Sequence, residues 1–192
     1  MEMMKIDQNR CNHALALFDE LNRKDPNHEF INGKEEPKEL IYAQRVTKML
    51  KSYVPNPSEI LQLAARCQHI QRWKIERKSF PMTKPGYHQW RTSLRKLHAE
   101  TAETVLREVG YEKSVIDRVC ALVKKEELKT DVESQALEDV VVLVFIENYL
   151  KEFINKHGDF DETKIMDIVD KSLCKMTTKG RDAALAMIKL SA

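Results

Sequence analysis

The sequence has 192 residues, of which 42% are hydrophobic and 32% are charged, a balance typical of a folded globular protein rather than a disordered chain. Its formal net charge of +2 argues against a general affinity for polyanions. Because the sequence has no apolar run approaching the ~18 residues of a membrane span and no hydrophobic signal segment at its start, we expect a cytoplasmic protein with no membrane partner.

Apolar residues recur at helical spacing along nearly the whole chain, and the predicted elements follow one another closely. After an N-terminal helix, residues 25–37 contain Pro, Asn and Gly and are predicted to form a loop. Helical spacing resumes over residues 38–53. Ser58, which follows a proline, marks the start of a third helix that we expect to run to about Trp73.

Two prolines then interrupt the pattern before a long helix over about 86–109, which Gly110 is expected to end. A fifth helix follows, and a sixth is predicted from Val132 to near Gly158. The apolar run at 140–146 would also suit a buried strand, but its flanks extend the helical spacing well beyond the length of a strand. Two further helices give an all-α fold, a single domain over residues 1–192 with about eight helices.

The segment from residue 66 to residue 98 is strongly basic, with nine basic residues and one acidic residue, Glu76. A basic segment in a nearly neutral protein indicates a local anionic ligand, such as a small phosphate-containing molecule or nucleotide. The segment also holds both tryptophans, which could stack a base, so an RNA end is another possible ligand. The residues expected to bind the ligand are Arg72, Trp73, Arg77, Lys84, Tyr87, Arg91 and Arg95, together with Lys124 and Lys125 of the fifth helix.

Two histidines lie among these cations. His98 shares one helix stripe with Arg91 and Arg95, which would either hold a phosphate through forked guanidinium bonds or form a solvated basic face. His69 shares a surface with Arg72 and Trp73. A neutral imidazole there would serve as a metal ligand, a general base or a hydrogen-bonded structural residue. Lys124 and Lys125 would alternatively complement the dipole of their helix.

Asp139 heads an otherwise apolar helix face that contains Val142, Leu143 and Ile146. A carboxylate in such a place must be paired, protonated or bound to a metal. It is therefore either a buried salt bridge or helix cap, or a ligand to a metal or substrate. The neighbouring Glu138 is expected to be solvated.

The four cysteines, at positions 11, 67, 120 and 174, show no CxxC pairing. Each lies in a helix-like apolar pattern. We expect buried, reduced thiols rather than a disulfide or zinc set, which agrees with a cytoplasmic protein.

The stretch "AARCQHIQRW…FPMTKPGYHQWRTSLRKLHAETAETVLREVGY…LEDVVVLVF" resembles the DUF4202 family, a family of domains of unknown function. This resemblance covers residues 13–185 approximately. The family has no established activity, so the resemblance implies none for this chain.

The order of elements is also similar to the HD superfamily of metal-dependent phosphohydrolases, which are all-α and bind metal through a His, a His-Asp pair and a distant Asp. Tyr42 stands at the first His position, and Gln68 and His69 stand at the pair. His98 and Asp139 match the later positions. The resemblance implies an HD-like fold in which His69, His98 and Asp139 bind a divalent metal ion and carry catalysis.

Three functions agree with these observations. The first is a divergent HD-like phosphohydrolase acting on a nucleotide or other small phosphate ester. The second is a non-catalytic module on the same fold that binds an anion, a nucleotide or RNA, because Tyr42 and Gln68 replace usual ligands. The third is an interaction protein whose basic surface meets an acidic partner.

Overall fold

The computed structural model describes residues 8–156 and 162–191, and most of them are helical, as the sequence predicts. In these two ranges the α-helices are α1 (Gln8–Asn22), α2 (Lys38–Tyr53), α3 (Glu59–Arg66), α4 (Lys84–Val109), α5 (Lys113–Lys124), α6 (Val132–Asn148), α7 (Leu150–Lys156), α8 (Glu162–Leu173) and α9 (Thr178–Ser191). Two short 3-10 turns, Arg72–Lys74 and Arg77–Ser79, lie between α3 and α4.

A small antiparallel hairpin occupies part of the segment predicted to be a loop. Strand β1 (His28–Ile31) pairs with β2 (Lys34–Pro37), with Ile31 opposite Lys34. Asn32 and Gly33 form the turn with φ values of 50° and 82°, the left-handed backbone that an Asn-Gly hairpin turn requires. The loop prediction is wrong here. The strands lack the alternating apolar residues that would predict them, and the Asn-Gly turn sets their pairing.

Several helix ends follow the predicted caps. The Ser58 hydroxyl accepts a hydrogen bond from the Leu61 N–H at 3.0 Å, so α3 begins as predicted. Helix α4 ends at Gly110, whose φ of 85° is the left-handed conformation of a C-cap. In contrast, α3 ends at Arg66 rather than near Trp73.

The apolar run at 140–146 is helical, which confirms the prediction for this segment. The longer predicted helix is interrupted at Tyr149, whose backbone leaves helical angles (φ −128°, ψ −17°) between α6 and α7. The predicted end near Gly158 lies outside the described residues.

The chain divides into two compact units. Of the described residues, unit one comprises those up to Lys48 and from Asn56 to Glu126, and unit two comprises Met49–Pro55 and those from Glu127 onward. In unit one, α4 packs against α1 and α5, and α3 packs against the same two helices. In unit two, α6 packs against α7 and α9, and α8 packs against α9.

Burial departs from the prediction at two residues. All four cysteines are free thiols, but only the first three are buried and Cys174 is exposed. Glu138 is buried rather than solvated, because α6 is covered around most of its circumference. Among the described residues, no helix has both the length and the apolar character of a membrane span.

Candidate functional site

The chain after α3 turns instead of continuing as a helix. Gln71 adopts left-handed angles (φ 54°), and its N–H donates to the buried side-chain carbonyl of Asn22 at 3.0 Å. This turn frees the carbonyl of Ile70 from helical hydrogen bonding. It also places His69 and Arg72 beside each other, with 3.1 Å between Nε2 of His69 and the Arg72 guanidinium.

His98 of α4 is buried and points one ring nitrogen at this turn. Its Nδ1 lies 2.7 Å from the Ile70 carbonyl oxygen, which can only accept, so Nδ1 carries the proton. The other nitrogen, Nε2, is buried and has no hydrogen-bond partner among the described residues. Burial, with smaller effects of Arg72 and Arg91, lowers the pKa of His98 to about 3, which keeps the ring neutral.

His69 is held on three sides. Its ring stacks on Tyr42 with centroids 4.0 Å apart and planes 10° from parallel. Because Arg72 donates to Nε2, the neutral ring carries its proton on Nδ1, which lies 3.5 Å from a Glu39 oxygen. Burial and the charges of Arg72 and Arg91 lower the pKa of His69 well below its usual value.

Glu39 is a site residue that the sequence analysis missed. Its backbone N–H donates to Asp25 at 3.0 Å, which fixes the start of α2 and turns the Glu39 carboxyl toward His69 and Arg72. The carboxyl is only 3.9 Å from Arg72, but burial outweighs that cation and raises the pKa of Glu39 to about 7. A glutamate in a first helical turn looks like a dipole-complementing residue, so the sequence offers no signal for this role.

Several cations gather beside the two histidines. A recess in unit one, hereafter the histidine recess, lies beside them. It is lined by Gln68, His69, Arg91, Leu94, Arg95, His98, Val123 and Lys125. Within the described residues, the Arg91 guanidinium has no hydrogen-bond or ion-pair partner. The predicted Arg91, Arg95 and His98 stripe therefore faces a common recess, and Lys125 joins it.

The aromatic residues of the basic segment support its cations. The Arg72 guanidinium lies 4.8 Å from the ring centre of Trp90, whose Nε1 donates to the Ile75 carbonyl at 2.8 Å. Tyr87 is exposed and lies 5.7 Å from Trp90 between ring centres. Trp73 is half-buried in the first 3-10 turn.

Other predicted ligand-binding cations lie in other surroundings. Arg77 donates to the carbonyls of Phe80, Pro81 and Thr83, so it ties down the loop that precedes α4. Lys84 is exposed in the first turn of α4. Lys124 is also exposed and lies 3.7 Å from a Glu126 oxygen.

Asp139 belongs to unit two and serves as a helix anchor there. One of its oxygens accepts from the Thr177 N–H at 2.9 Å, and the other accepts from the Thr177 hydroxyl and from Tyr53. Thr177 in turn caps α9 by accepting from the Gly180 N–H at 3.0 Å. Burial and the Asp139 contact raise the pKa of Tyr53 to about 12, so Tyr53 stays a donor.

The hydrogen bonds of the three predicted metal ligands, His69, His98 and Asp139, do not fit a three-ligand metal centre. His69 accepts from Arg72, and both Asp139 oxygens accept hydrogen bonds, which leaves His98 alone with an unpartnered nitrogen. In the described ranges, no group of three or more His, Cys, Asp or Glu residues could hold a metal ion. The metal set of His69, His98 and Asp139 remains a prediction.

Comparison with known proteins places the chain in one family. No curated protein and no solved structure matches it. The similarity to the HD superfamily therefore also stays a prediction. The model of the DUF4202 family, described as a domain of unknown function, matches residues 12–192, and the chain belongs to this family.

Proposed function

We propose that the histidine recess binds the phosphate group of a small molecule, such as a nucleotide or another phosphate ester. The observation that carries the proposal is the meeting of Arg91, Arg95 and Lys125 in one recess, with no partner for the Arg91 guanidinium among the described residues. Guanidinium groups bind phosphate oxygens through forked, charge-assisted hydrogen bonds.

The charge around the recess also favours an anion. Burial and the nearby Arg91 lower the pKa of Arg72, which means that these like charges are crowded. Glu39 faces Arg72, but with a pKa of about 7 it is only partly ionised near neutral pH. A bound phosphate would supply negative charge that Glu39 does not fully provide.

The test is a calorimetric titration of the whole chain with inorganic phosphate and with a nucleoside monophosphate. Arg91→Gln should weaken binding at least about tenfold, the effect of losing a charge-assisted hydrogen bond. Arg107→Gln is the matched control, because it removes a cation of the same helix that instead pairs with Glu103. Absence of binding to the wild-type chain, or equal affinity in Arg91→Gln, would contradict the proposal.

Hydrolysis of the bound ester is a second candidate function. It is favoured by the buried contact between Glu39 and the neutral His69, since a carboxyl group with a pKa near 7 can accept or give a proton at neutral pH. The assay is phosphate release from a panel of phosphate esters, with and without added divalent metal. Turnover that is lost in Glu39→Gln while phosphate still binds would support an enzyme; no turnover would leave a binding module.

A further inference from the structure

Among the buried side-chain atoms without a hydrogen-bond partner, one of Gln68 and one of His98, two residues that line the histidine recess, have opposite hydrogen-bonding character. Nε2 of Gln68 is a donor and Nε2 of His98 is an acceptor, and neither makes a hydrogen bond within the described part of the chain. Gln68 is 4% exposed and His98 is 3% exposed. Buried polar groups are almost always paired with protein or with water, so both atoms are open to a polar group that enters the recess.

The acceptor character of His98 is set by the fold. The Ile70 carbonyl holds the proton on Nδ1 at 2.7 Å, so the remaining nitrogen presents a lone pair. Protonation of that nitrogen would place a positive charge in a buried site beside Arg72 and Arg91, which opposes it. The recess therefore combines cations that attract an anion with one acceptor that repels an oxygen without a proton.

An oxyanion that keeps a proton satisfies both demands. Its O–H donates to His98, while its other oxygens accept from Arg91 and Gln68. An oxyanion without a proton sets an oxygen lone pair against the His98 lone pair and leaves that acceptor unsatisfied. Phosphate keeps at least one proton at neutral pH, and sulfate keeps none.

We infer that the histidine recess selects an oxyanion that still carries a proton, hydrogen phosphate or a singly protonated phosphate monoester, over sulfate. This inference rests on the proposed function and names the form of phosphate that the site takes. The discrimination comes from His98, whereas Gln68 and Arg91 attract either anion.

The experiment is a titration of the whole wild-type chain with inorganic phosphate and, separately, with sulfate at neutral pH and constant ionic strength. We expect phosphate to bind at least about tenfold more tightly, although sulfate carries no less charge. Equal binding, or tighter binding of sulfate, overturns the inference and leaves phosphate binding intact. Failure of both anions to bind overturns the proposed function as well.

Two variants assign the selectivity to His98. His98→Gln should bring the two affinities to within a few-fold, because a side-chain amide can turn its N–H toward sulfate. Gln68→Met is the matched control, which should weaken both anions and keep their ratio. Wild-type selectivity retained in His98→Gln overturns the role of His98, and the wild-type comparison stands by itself if that variant does not fold.

Discussion

At the scale of single residues, the histidine recess depends on which atoms hold protons. His69 and His98 are 5.9 Å apart between ring centres, and each has one nitrogen fixed by its neighbours. Arg72 makes Nε2 of His69 an acceptor, and the Ile70 carbonyl makes Nδ1 of His98 a donor. Both rings therefore stay neutral among cations, and the local positive charge belongs to the arginines and Lys125 rather than to the histidines.

Glu39 should give the chain a measurable pH dependence. Its pKa is about 7 in the folded chain against a usual 4.5, so the folded state holds more protons than the unfolded state between these values. Stability from this group is present below the lower value and is lost as the pH rises toward 7. The loss amounts to at most about 3 kcal/mol. Glu39→Gln should remove it, so the variant gains stability relative to wild type as the pH rises.

The loss of wild-type stability is small at about pH 5 and complete at about pH 8. Urea unfolding of both proteins at these two pH values measures it. Glu100→Gln, which replaces an exposed carboxylate on α4, controls for the loss of one negative charge. A difference between wild type and Glu39→Gln that does not change with pH would contradict the buried, partly protonated carboxyl.

At the scale of elements, the early end of α3 creates the recess. In a helix continued through Lys74, the Ile70 carbonyl would point along the helix axis at the Lys74 N–H instead of at Nδ1 of His98. The left-handed Gln71 breaks this pattern, and Asn22 of α1 secures the break. The site is therefore made by a turn held by a neighbouring helix, rather than by a motif within one helix.

Helix α9 begins against Asp139, and this contact should not tolerate a larger residue at Gly180. A Cβ added there would lie 2.6 Å from the Asp139 carboxyl carbon. Gly180→Ala should lower the free energy of unfolding by about 1–3 kcal/mol, the usual cost of overpacking. Asp182→Ala, an exposed substitution on the same helix, should change it by less than about 0.5 kcal/mol.

The double variant Asp139→Ala with Gly180→Ala tests the contact itself. Removing the carboxyl makes room for the methyl group, so the two effects on unfolding should not add. If the losses of unfolding free energy add, or if Gly180→Ala is as stable as wild type, then Gly180 does not pack against the Asp139 carboxyl. Denaturant unfolding of the four proteins gives the coupling directly.

At the scale of the whole molecule, each compact unit contains its own polar cluster. Unit one holds the histidine recess, with its unpartnered acceptor and its cations. Unit two holds Asp139, whose hydrogen bonds to Tyr53 and Thr177 are complete within that unit. Buried polar groups without hydrogen-bond partners are available to a ligand, whereas fully hydrogen-bonded groups stabilise the fold.

Phosphate should therefore protect the backbone unevenly. In hydrogen exchange, amides of α3, α4 and α5 should slow by up to about a hundredfold at a phosphate concentration a hundred times the dissociation constant, and those of α6 and α9 should be unchanged. Arg91→Gln should reduce the slowing to about tenfold or less at the same phosphate concentration. Protection centred on unit two would place the phosphate site elsewhere.

The sequence by itself determined the helical class, the ends of α3 and α4 marked by Ser58 and Gly110, and the basic segment. These features depend on residues close together in the chain, whose spacing and capping chemistry can be read directly. The hairpin and the early end of α3 were not predicted, because they depend on left-handed residues, Asn32 and Gly33 in the hairpin turn and Gln71 after α3.

Only the tertiary structure decided which of these residues act together. It gathered Arg91, Arg95 and Lys125 at one recess and assigned Arg77 to loop carbonyls. It also gave Asp139 a full set of partners within unit two. A helical pattern states which side of a helix is apolar but not which distant groups meet it, because that depends on turns and packing between residues far apart in sequence.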